Sequence, residues 1–380
     1  MFSTLLAIVF WGCAAFVVYA YAGYPALLYL VSRVRRQPVH RADITPSVSL
    51  IITARNEEAR LPAKLANTLA LDYPANRLDV VVASDCSTDA THDIVERHGA
   101  AGIRLVVSPE RRGKEFAQKQ AIEASTGEIL VFSDVATRLS PDGLRTIVRN
   151  FADPAVGCVS SVDRLVGSDG RTSGEGAYVK YEMWLRSLES EVGSVVGLSG
   201  SFFAARREVC TPWAVDLPSD FTTLLNTLKR GLRGISDPHS VGEYLDLADE
   251  KREYARKVRT VSRGLTSLAR HLQLLNPLRY GLSAWQLFSH KLCRWLVPYA
   301  LIGLLVSNAA LAATSSFYAL LAGAQLIAYI VAANGLRRRE TLSGLPRLLS
   351  FFVLVNLSIV NAWYNVLRGH TAVVWEPSKR

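Results

Sequence analysis

The stretch IITARNEEARLP, from Ile51 to Pro62, joins an apolar run to a group of charged residues. The run begins earlier, and Ser47 to Thr53 is apolar and β-branched in the manner of a buried strand. The charged residues follow where this strand would end. In sheets of parallel strands, ligands bind beyond the carboxyl ends of the strands. The junction therefore predicts a ligand-binding edge.

The same arrangement, an apolar strand that ends in polar residues, recurs along roughly the next 80 residues. A stretch of about 80 residues is long enough for several strand–helix units. Three further strands are predicted at Leu78–Ser84, Ile103–Ser108 and Glu128–Asp134. Helical patterns separate them, including one with leucines at 61, 65 and 69 and one whose start we expect Ser87 or Thr88 to cap. Connections of this length exclude hairpins. The pattern predicts an α/β fold with a Rossmann-like, mostly parallel, doubly wound sheet.

Long apolar segments flank this region. No charged residue occurs from Phe2 to Ser32 or from Trp295 to Leu336, and the stretch Leu348–Leu367 is also uncharged. About 20 apolar residues cross a bilayer once, so these stretches predict a multi-pass membrane protein. Whether the last stretch spans the bilayer or lies at its interface is left open by the sequence. We predict an anchor at 1–36, an α/β domain at 47–260, interfacial helices at 261–290, hydrophobic segments at 291–367 and a tail at 368–380.

Basic residues follow or precede the apolar segments in a consistent manner. Arg33, Arg35 and Arg36 follow the first segment, and Lys291, Arg294 and the run Arg337–Arg339 border the others. The positive-inside rule places all of these on the cytoplasmic side. The first segment lacks a basic start and is long for a signal peptide, so we expect an uncleaved anchor. The predicted location is the inner (cytoplasmic) membrane, with the α/β domain in the cytosol.

Composition and motifs exclude several classes of function. The net charge of +10 is carried largely beside the apolar segments, where anionic lipid explains it, so no nucleic-acid partner is expected. The five cysteines lack metal-binding spacing and should be reduced thiols. No GxxxxGK or GxGxxG motif is present, which argues against a P-loop or dinucleotide site. A transporter is disfavoured because the apolar segments lack ionisable residues.

Three residues at or near the predicted ligand-binding edge are candidates for binding a nucleotide, its diphosphate or a metal ion. Asp85 could accept hydrogen bonds from a ribose or base, or it could cap a helix. Lys114 follows Gly113 at a helix start and suits a diphosphate, although a solvated first-turn lysine fits the same pattern. Asp134 ends an apolar strand and suits Mg²⁺ or Mn²⁺ bound together with substrate phosphates, or caps a turn.

Seven stretches in fixed order resemble one family. They are SLIITARNEE, VVVASDCSTDAT, RRGKEFAQKQAI, ILVFSDVATRLSP, GLSGSFFAARRE, PSDFTTLLNTLKRGLRG and EYARKVRTVSRGL, and they cover about residues 47–265. Together they resemble the membrane-integrated, inverting family 2 glycosyltransferases with a GT-A domain, of the bacterial polysaccharide and glycolipid synthase type.

The resemblance implies an activity and a set of site residues. A sugar would move from a nucleotide-sugar donor, UDP-linked, with inversion onto a membrane lipid or lipid-linked glycan acceptor. Asp220 would be the catalytic base, Asp134 would hold Mg²⁺ or Mn²⁺, and Ser199 and Gly200 would contact the acceptor. The implied donor-binding residues are Thr53, Arg55, Asn56, Glu57, Asp85, Lys114, Asp134, Arg256 and Arg259.

The sequence departs from the family pattern at three places. Ala136 stands where the DxD metal motif has its second acid, and Ser219 stands before Asp220 where the family has an acid. The QxxRW motif of processive relatives is absent, which argues against long-chain synthesis. Two alternatives stay open: a single-sugar transferase acting on a polyprenyl phosphate or lipid headgroup, and a catalytically silent scaffold or sensor in a polysaccharide secretion complex.

Overall fold

The computed structural model describes residues 2–166, 177–245, 250–337 and 344–370. Within these residues the chain forms two compact units. An α/β unit is drawn from Leu28–Ala248 and Ser267–Gln286, and a helical unit is drawn from Met1–Leu27, Asp249–Thr266 and Leu287–Thr371.

The α/β unit contains one eight-stranded sheet in the order β3-β2-β1-β4-β7-β6-β8-β5. The strands are β1 Val48–Ala54, β2 Leu78–Ser84, β3 Ile103–Val107, β4 Ile129–Asp134, β5 Arg138–Leu139, β6 Val156–Val166, β7 Phe202–Arg206 and β8 Arg233–Leu245. Strands β3, β2, β1 and β4 run parallel, and β7 is antiparallel to both β4 and β6. The predicted α/β sheet is confirmed, and each of its first four strands lies within one residue of the expected limits.

Helices of the α/β unit cover this sheet. They are α3 Leu61–Leu69, α4 Thr91–Glu96, α5 Lys114–Ala124, α6 Gly143–Val148, α7 Ala177–Val192 and α8 Ser219–Lys229. Alternate residues of β1, such as Leu50 and Ile52, are fully buried in one core cluster with Leu61 and Leu65 of α3. The residues between them, including Thr53, face the other way because side chains alternate along a strand.

The expected cap of α4 is wrong. This helix begins at Thr91, and the Asp89 carboxylate accepts a hydrogen bond from the Thr91 backbone N–H at 3.0 Å. Ser87 and Thr88 instead bond Asn56 in the loop after β1. Their hydroxyl-rich stretch therefore joins two loops rather than starting a helix.

The helical unit contains α1 Phe2–Val18 and most of the long apolar helices that follow the α/β domain. The remaining helices of the chain are α2 Tyr24–Val34, α9 Glu250–Ala269, α10 Pro277–Leu287, α11 Arg294–Ala312, α12 Ser316–Arg337 and α13 Gly344–Leu367. Among the described residues, four helical stretches are long and apolar enough to cross a membrane: Ser3–Val34, Pro277–Ala312, Ser316–Arg337 and Gly344–Leu367. Trp363 of α13 donates to the Trp295 carbonyl at 2.9 Å, which ties α13 to α11.

The interfacial helices predicted at 261–290 coincide with the end of α9, a short 3-10 turn at Leu272–Leu275 and α10. Their position at a bilayer surface stays a prediction, as do the domain limits. Most of the predicted tail, from residue 371 onward, lies outside the described residues.

Candidate active site

Buried polar atoms without hydrogen-bond partners lie at the carboxyl ends of the parallel strands. They are Thr53 Oγ1 on β1, Asp85 Oδ2 after β2 and Ser108 Oγ after β3. Each of these side chains is at most 2% exposed. Asp85 is held by its other oxygen, which accepts hydrogen bonds from the backbone N–H groups of Arg112 and Gly113 at 3.1 Å. A buried polar atom left unpaired costs free energy, so this edge suits a polar ligand.

The loops after β1 and β2 are tied together by Arg55 and Asn56. Arg55 Nη1 donates to the carbonyls of Asp85 and Cys86. Asn56 donates its backbone N–H to Ser87 Oγ at 3.1 Å and accepts from the Thr88 N–H at 2.8 Å. These bonds hold the backbone around Asp85 in place. Arg55 and Asn56 therefore stabilise the two loops that form the predicted pocket.

Glu57 is also buried, but its carboxylate already has a partner. Both of its oxygens accept hydrogen bonds from the Arg60 guanidinium at 2.6 and 2.7 Å. Burial raises the pKa of Glu57, while Arg60 opposes that rise. Its backbone N–H donates to Thr91 Oγ1 at 2.9 Å, so Glu57 connects the β1 loop to α4.

Lys114 joins three separate parts of the chain. It is the first residue of α5, and its Nζ donates to Asp134 Oδ1 at 2.5 Å and to the Gly200 carbonyl at 3.1 Å. Burial alone would lower the pKa of this ammonium, but the nearby carboxylates, Asp134 above all with Glu115 and Asp220, together outweigh burial and the pKa is raised. Lys114 is therefore charged at neutral pH and placed beside the end of β4.

Asp220 meets the same glycine from another direction. It lies in the first turn of α8, where its Oδ1 accepts from the Phe221 N–H at 2.8 Å. Its Oδ2 lies 3.1 Å from the point where a Cβ on Gly200 would stand, so a side chain at 200 would press on this carboxylate. Lys114, Asp134, Gly200 and Asp220 are thus brought together.

A third carboxylate, Asp163 on β6, was not predicted from the sequence. Its Oδ1 accepts hydrogen bonds from Ser199 Oγ and Ser201 Oγ, each at 2.5 Å. The Ser201 carbonyl in turn accepts from the Asp134 N–H at 2.9 Å. The turn at 199–201 therefore contacts Asp163 through its hydroxyls and Asp134 and Lys114 through its backbone. Nothing in the stretch around Asp163 marks it, because its partners are about 40 residues away along the chain, a separation that only the fold closes.

Lys64 on α3 was also missed, although a signal existed. It is 3% exposed and falls on the buried stripe of α3 between Leu61 and Leu65. Its Nζ donates to Ser133 Oγ at 2.7 Å and to the Thr137 carbonyl at 2.6 Å. Burial lowers the pKa of Lys64 to about 7, and Asp134 opposes that shift. A lysine within an apolar helical stripe was the available sign.

Arg256 and Arg259 lie on α9 in the helical unit, outside the α/β unit that contains the residues above. Their predicted role in donor binding stays a prediction. The roles predicted for the residues of the α/β unit also stay predictions.

A divalent cation fits this site only together with a substrate. Asp134 offers a single carboxylate with 34% exposure, and Ala136 two residues later has no ligating atom. Within the described ranges no three His, Cys, Asp or Glu side chains are grouped so as to hold a metal ion. Mg²⁺ commonly uses one or two carboxylates plus substrate phosphates, and carboxylate oxygens suit Mn²⁺ as well. The donor set thus fits an ion that a diphosphate shares with Asp134.

Comparison with known proteins identifies the α/β unit. The family model described as "Glycosyl transferase family 2" matches residues 49–211. A beta-monoglucosyldiacylglycerol synthase from Nostoc is 27% identical over 208 residues, covering 52% of this chain and 44% of that protein. An N-acetylglucosaminyltransferase from Sinorhizobium fredii is 30% identical over 199 residues, covering 50% and 48%. The chain therefore spans about half the length of the curated relatives it matches.

A solved structure extends the likeness beyond the matched segment. The mannosyltransferase PcManGT from Pyrobaculum calidifontis, in complex with GDP-Man and Mn²⁺, superposes with a TM-score of 0.73 at 25% identity. The superposition covers 96% of this chain and 99% of that one. The predicted GT-A-like fold with apolar N- and C-terminal helices is confirmed. Residues 49–211 of this chain therefore match glycosyl transferase family 2 in sequence, and nearly the whole chain shares its fold with a solved mannosyltransferase.

Proposed function

We propose that this protein is a membrane-embedded glycosyltransferase that moves a sugar from a nucleotide-sugar donor, UDP-linked, with inversion onto a membrane lipid or lipid-linked glycan. One observation carries the proposal: Lys114 bonds both Asp134 and the Gly200 carbonyl, and Asp220 abuts the same glycine. An ammonium, an acid at a strand end and a further acid thus meet at one turn, although they come from distant parts of the sequence.

The donor would lie along the carboxyl ends of β3, β2, β1 and β4. The unpaired oxygens of Thr53, Asp85 and Ser108 accept or exchange hydrogen bonds with the nucleoside. Lys114 then faces the diphosphate, because its ammonium lies beside Asp134 at the end of β4. The guanidinium of Arg55 holds the loop that carries Asp85.

Transfer requires the sugar–phosphate bond to break as the acceptor oxygen attacks. Asp220 takes the proton from the acceptor hydroxyl, and the ammonium of Lys114 stabilises the charge that develops on the departing phosphate oxygen. A divalent ion bound by Asp134 and the diphosphate would add further charge stabilisation. A single base with direct displacement inverts the anomeric centre.

The acceptor is proposed to be membrane-borne. In the part of the chain that the structure describes, four apolar helices are long enough to cross a bilayer, and the Nostoc relative is a beta-monoglucosyldiacylglycerol synthase. That likeness favours a lipid headgroup as acceptor alongside a lipid-linked glycan. We place the protein in the cytoplasmic membrane with its α/β unit in the cytosol, since its flanking basic residues follow the positive-inside rule.

The test uses the full chain in lipid nanodiscs containing diacylglycerol and anionic phospholipid. UDP-glucose, UDP-galactose, UDP-N-acetylglucosamine and GDP-mannose are supplied with Mn²⁺, and nucleotide release and lipid products are measured. Asp220→Asn should lower turnover about 10²- to 10⁴-fold while UDP affinity changes less than about twofold. Asp43→Asn, at a carboxylate that is 85% exposed, is the matched control. A substantially active Asp220→Asn variant would exclude Asp220 as the base.

A further inference from the structure

Lys64 lies against the backbone turn that presents Asp134. Its Nζ bonds Ser133 Oγ before Asp134 and the Thr137 carbonyl after it, at 2.7 and 2.6 Å. The side chain is 3% exposed, and both of these hydrogen-bond acceptors are neutral. The ammonium thus bonds both ends of the segment 133–137. Ala136, in this segment, stands where the family pattern has a second acid.

A buried ammonium is unfavourable unless a negative charge compensates it. Asp134 is the group whose charge favours the ammonium of Lys64. Neighbouring positions on the same helix face, Leu61 and Leu65, are fully buried in the apolar core. An apolar side chain at 64 would avoid the desolvation cost of the ammonium but would remove the donor to Ser133 Oγ and the Thr137 carbonyl, so the lysine serves the turn rather than the packing of the core.

Two ammonium groups and one carboxylate take part in the hydrogen bonds of this turn, and Asp220 and Glu115 add negative charge nearby. Lys64 and Lys114 contribute two ammonium groups and Asp134 contributes one carboxylate. The two ammonium groups favour an anion such as a diphosphate, and they weaken the attraction of Asp134 for a divalent cation that arrives without one. A second carboxylate at 136 would have had the opposite effect.

We propose that Lys64 is a positioning residue that holds the Asp134 turn and supplies a positive charge to the diphosphate site, so that nucleoside diphosphate binding depends on lysine charge more than on a divalent ion. This inference rests on the proposed function of the site. Lys64 and Lys114 would together supply positive charge to the diphosphate at the place where the family pattern has a second acid, at position 136, and its metal.

The test measures the affinity of the full-length protein in detergent for UDP, with GDP in parallel, in EDTA and in Mn²⁺. Measurements at pH 6 lie about one unit below the pKa of Lys64 of about 7, so most of the ammonium is charged. Lys64→Met removes the charge and keeps an unbranched side chain of similar size. Lys119→Met, at a lysine on α5 that is 41% exposed, controls for the loss of one surface charge. Ser133→Ala removes one hydrogen bond and keeps the charge.

The two roles of Lys64 predict opposite outcomes for the metal. If its charge acts on the site, Lys64→Met weakens nucleotide binding in EDTA about tenfold, and the gain in affinity brought by Mn²⁺ grows about tenfold. Lys119→Met and Ser133→Ala leave that gain within about twofold. If Lys64 only braced the fold, its loss would weaken binding equally with and without Mn²⁺, and the inference would be overturned.

The proposed function fails in a different way. A wild-type protein that binds neither UDP nor GDP would refute the donor site, and the inference about Lys64 would fall with it. A wild-type protein that binds nucleotide, combined with an unchanged Mn²⁺ gain in Lys64→Met, would refute the inference alone.

Discussion

Two halves of the same sheet bury aspartates in different ways. In the parallel half, Asp85 is fully buried and its Oδ2 has no hydrogen-bond partner. In the mixed half, Asp237 on β8 is equally buried, but both of its oxygens are bonded. Asn150 Nδ2 donates to Asp237 Oδ2 at 2.8 Å, Arg149 Nη2 donates to the same oxygen at 3.2 Å, and the His239 N–H donates to Oδ1 at 3.1 Å.

The comparison shows that burial of an acid does not by itself mark a functional site. Asp237 is surrounded by donors from its own unit and needs no ligand. Asp85 is held in place through Oδ1 by two backbone N–H groups, which leaves Oδ2 for another molecule. Asp85 differs from Asp237 in having a carboxylate oxygen without a hydrogen-bond partner, whereas both carboxylates are buried.

The largest effect on stability should come from Asp237, the aspartate whose two oxygens both accept hydrogen bonds. Asp237→Asn leaves the Arg149 guanidinium without its counter-charge and places two amide groups against each other at Asn150. We expect a loss of about 3 kcal/mol in the free energy of unfolding, reduced from the fully buried case because Arg149 is 33% exposed. Thermal unfolding in detergent micelles measures it.

Nucleotide release per folded molecule should not change in the Asp237→Asn variant. A loss of turnover beyond the loss of folded protein would show that the mixed half also acts on substrate, and the comparison would break down.

Asp85→Asn should have the opposite pattern. The amide oxygen can still accept from Arg112 and Gly113, so we expect the stability to change by less than about 1 kcal/mol. The free acceptor is replaced by an N–H donor, and UDP affinity should fall by about 2 kcal/mol, or roughly thirtyfold. Titration of UDP measures it, and unchanged affinity would mean that Oδ2 contacts no nucleotide.

The sequence predicted the strands of the parallel half and the residues at their ends. Strand β2 has the predicted limits of Leu78 and Ser84, and Asp85, Lys114 and Asp134 lie at the predicted edge. Apolar runs that end in a polar residue specify such an edge, because parallel strands all end on one side. The family resemblance supplied Asp220 and the turn at 199–200.

The sequence did not reveal the contacts between distant elements. Asp163 matters because Ser199 and Ser201 donate to it across two strands, and that pairing follows from the placement of β7 between β4 and β6. The cap of α4 was misassigned because Ser87 and Thr88 have partners in another loop. Tertiary hydrogen bonds of this kind override local preference.

A smaller effect should appear in the pH dependence of stability. Because burial lowers the folded-state pKa of Lys64 to about 7, the unfolded chain binds more protons than the folded chain above pH 7. Stability attributable to Lys64 is therefore least near and below pH 7 and rises towards pH 10. From pH 7 to 9 the wild type should gain roughly 1–2 kcal/mol relative to Lys64→Met.

Unfolding midpoints of the two proteins at several pH values measure this gain, because other titrating groups cancel in the difference. Parallel curves would show that Lys64 keeps an ordinary pKa and is not desolvated as described.

The smallest effect concerns the backbone of the loops that hold Asp85. Cys86 has φ +53° and Asn56 has φ +49°, both in the left-handed region. The side chain of Cys86 does little to offset the strain of this conformation, since its Sγ makes one weak hydrogen bond, to the Ser108 carbonyl at 3.2 Å. Asparagine tolerates this region and accepts a bond from Thr88.

Cys86→Gly should therefore stabilise the protein by about 0.5 kcal/mol, since relief of the left-handed strain slightly exceeds the added entropy of the unfolded chain. Asn56→Gly, the matched change in the neighbouring loop, relieves less strain and loses the hydrogen bond from Thr88, so it should destabilise. Unfolding midpoints of the two variants test the pair together. If Asn56→Gly were the more stable of the two, the strain would lie in the β1 loop and Asn56 would not be the residue that joins it to the loop of Asp85.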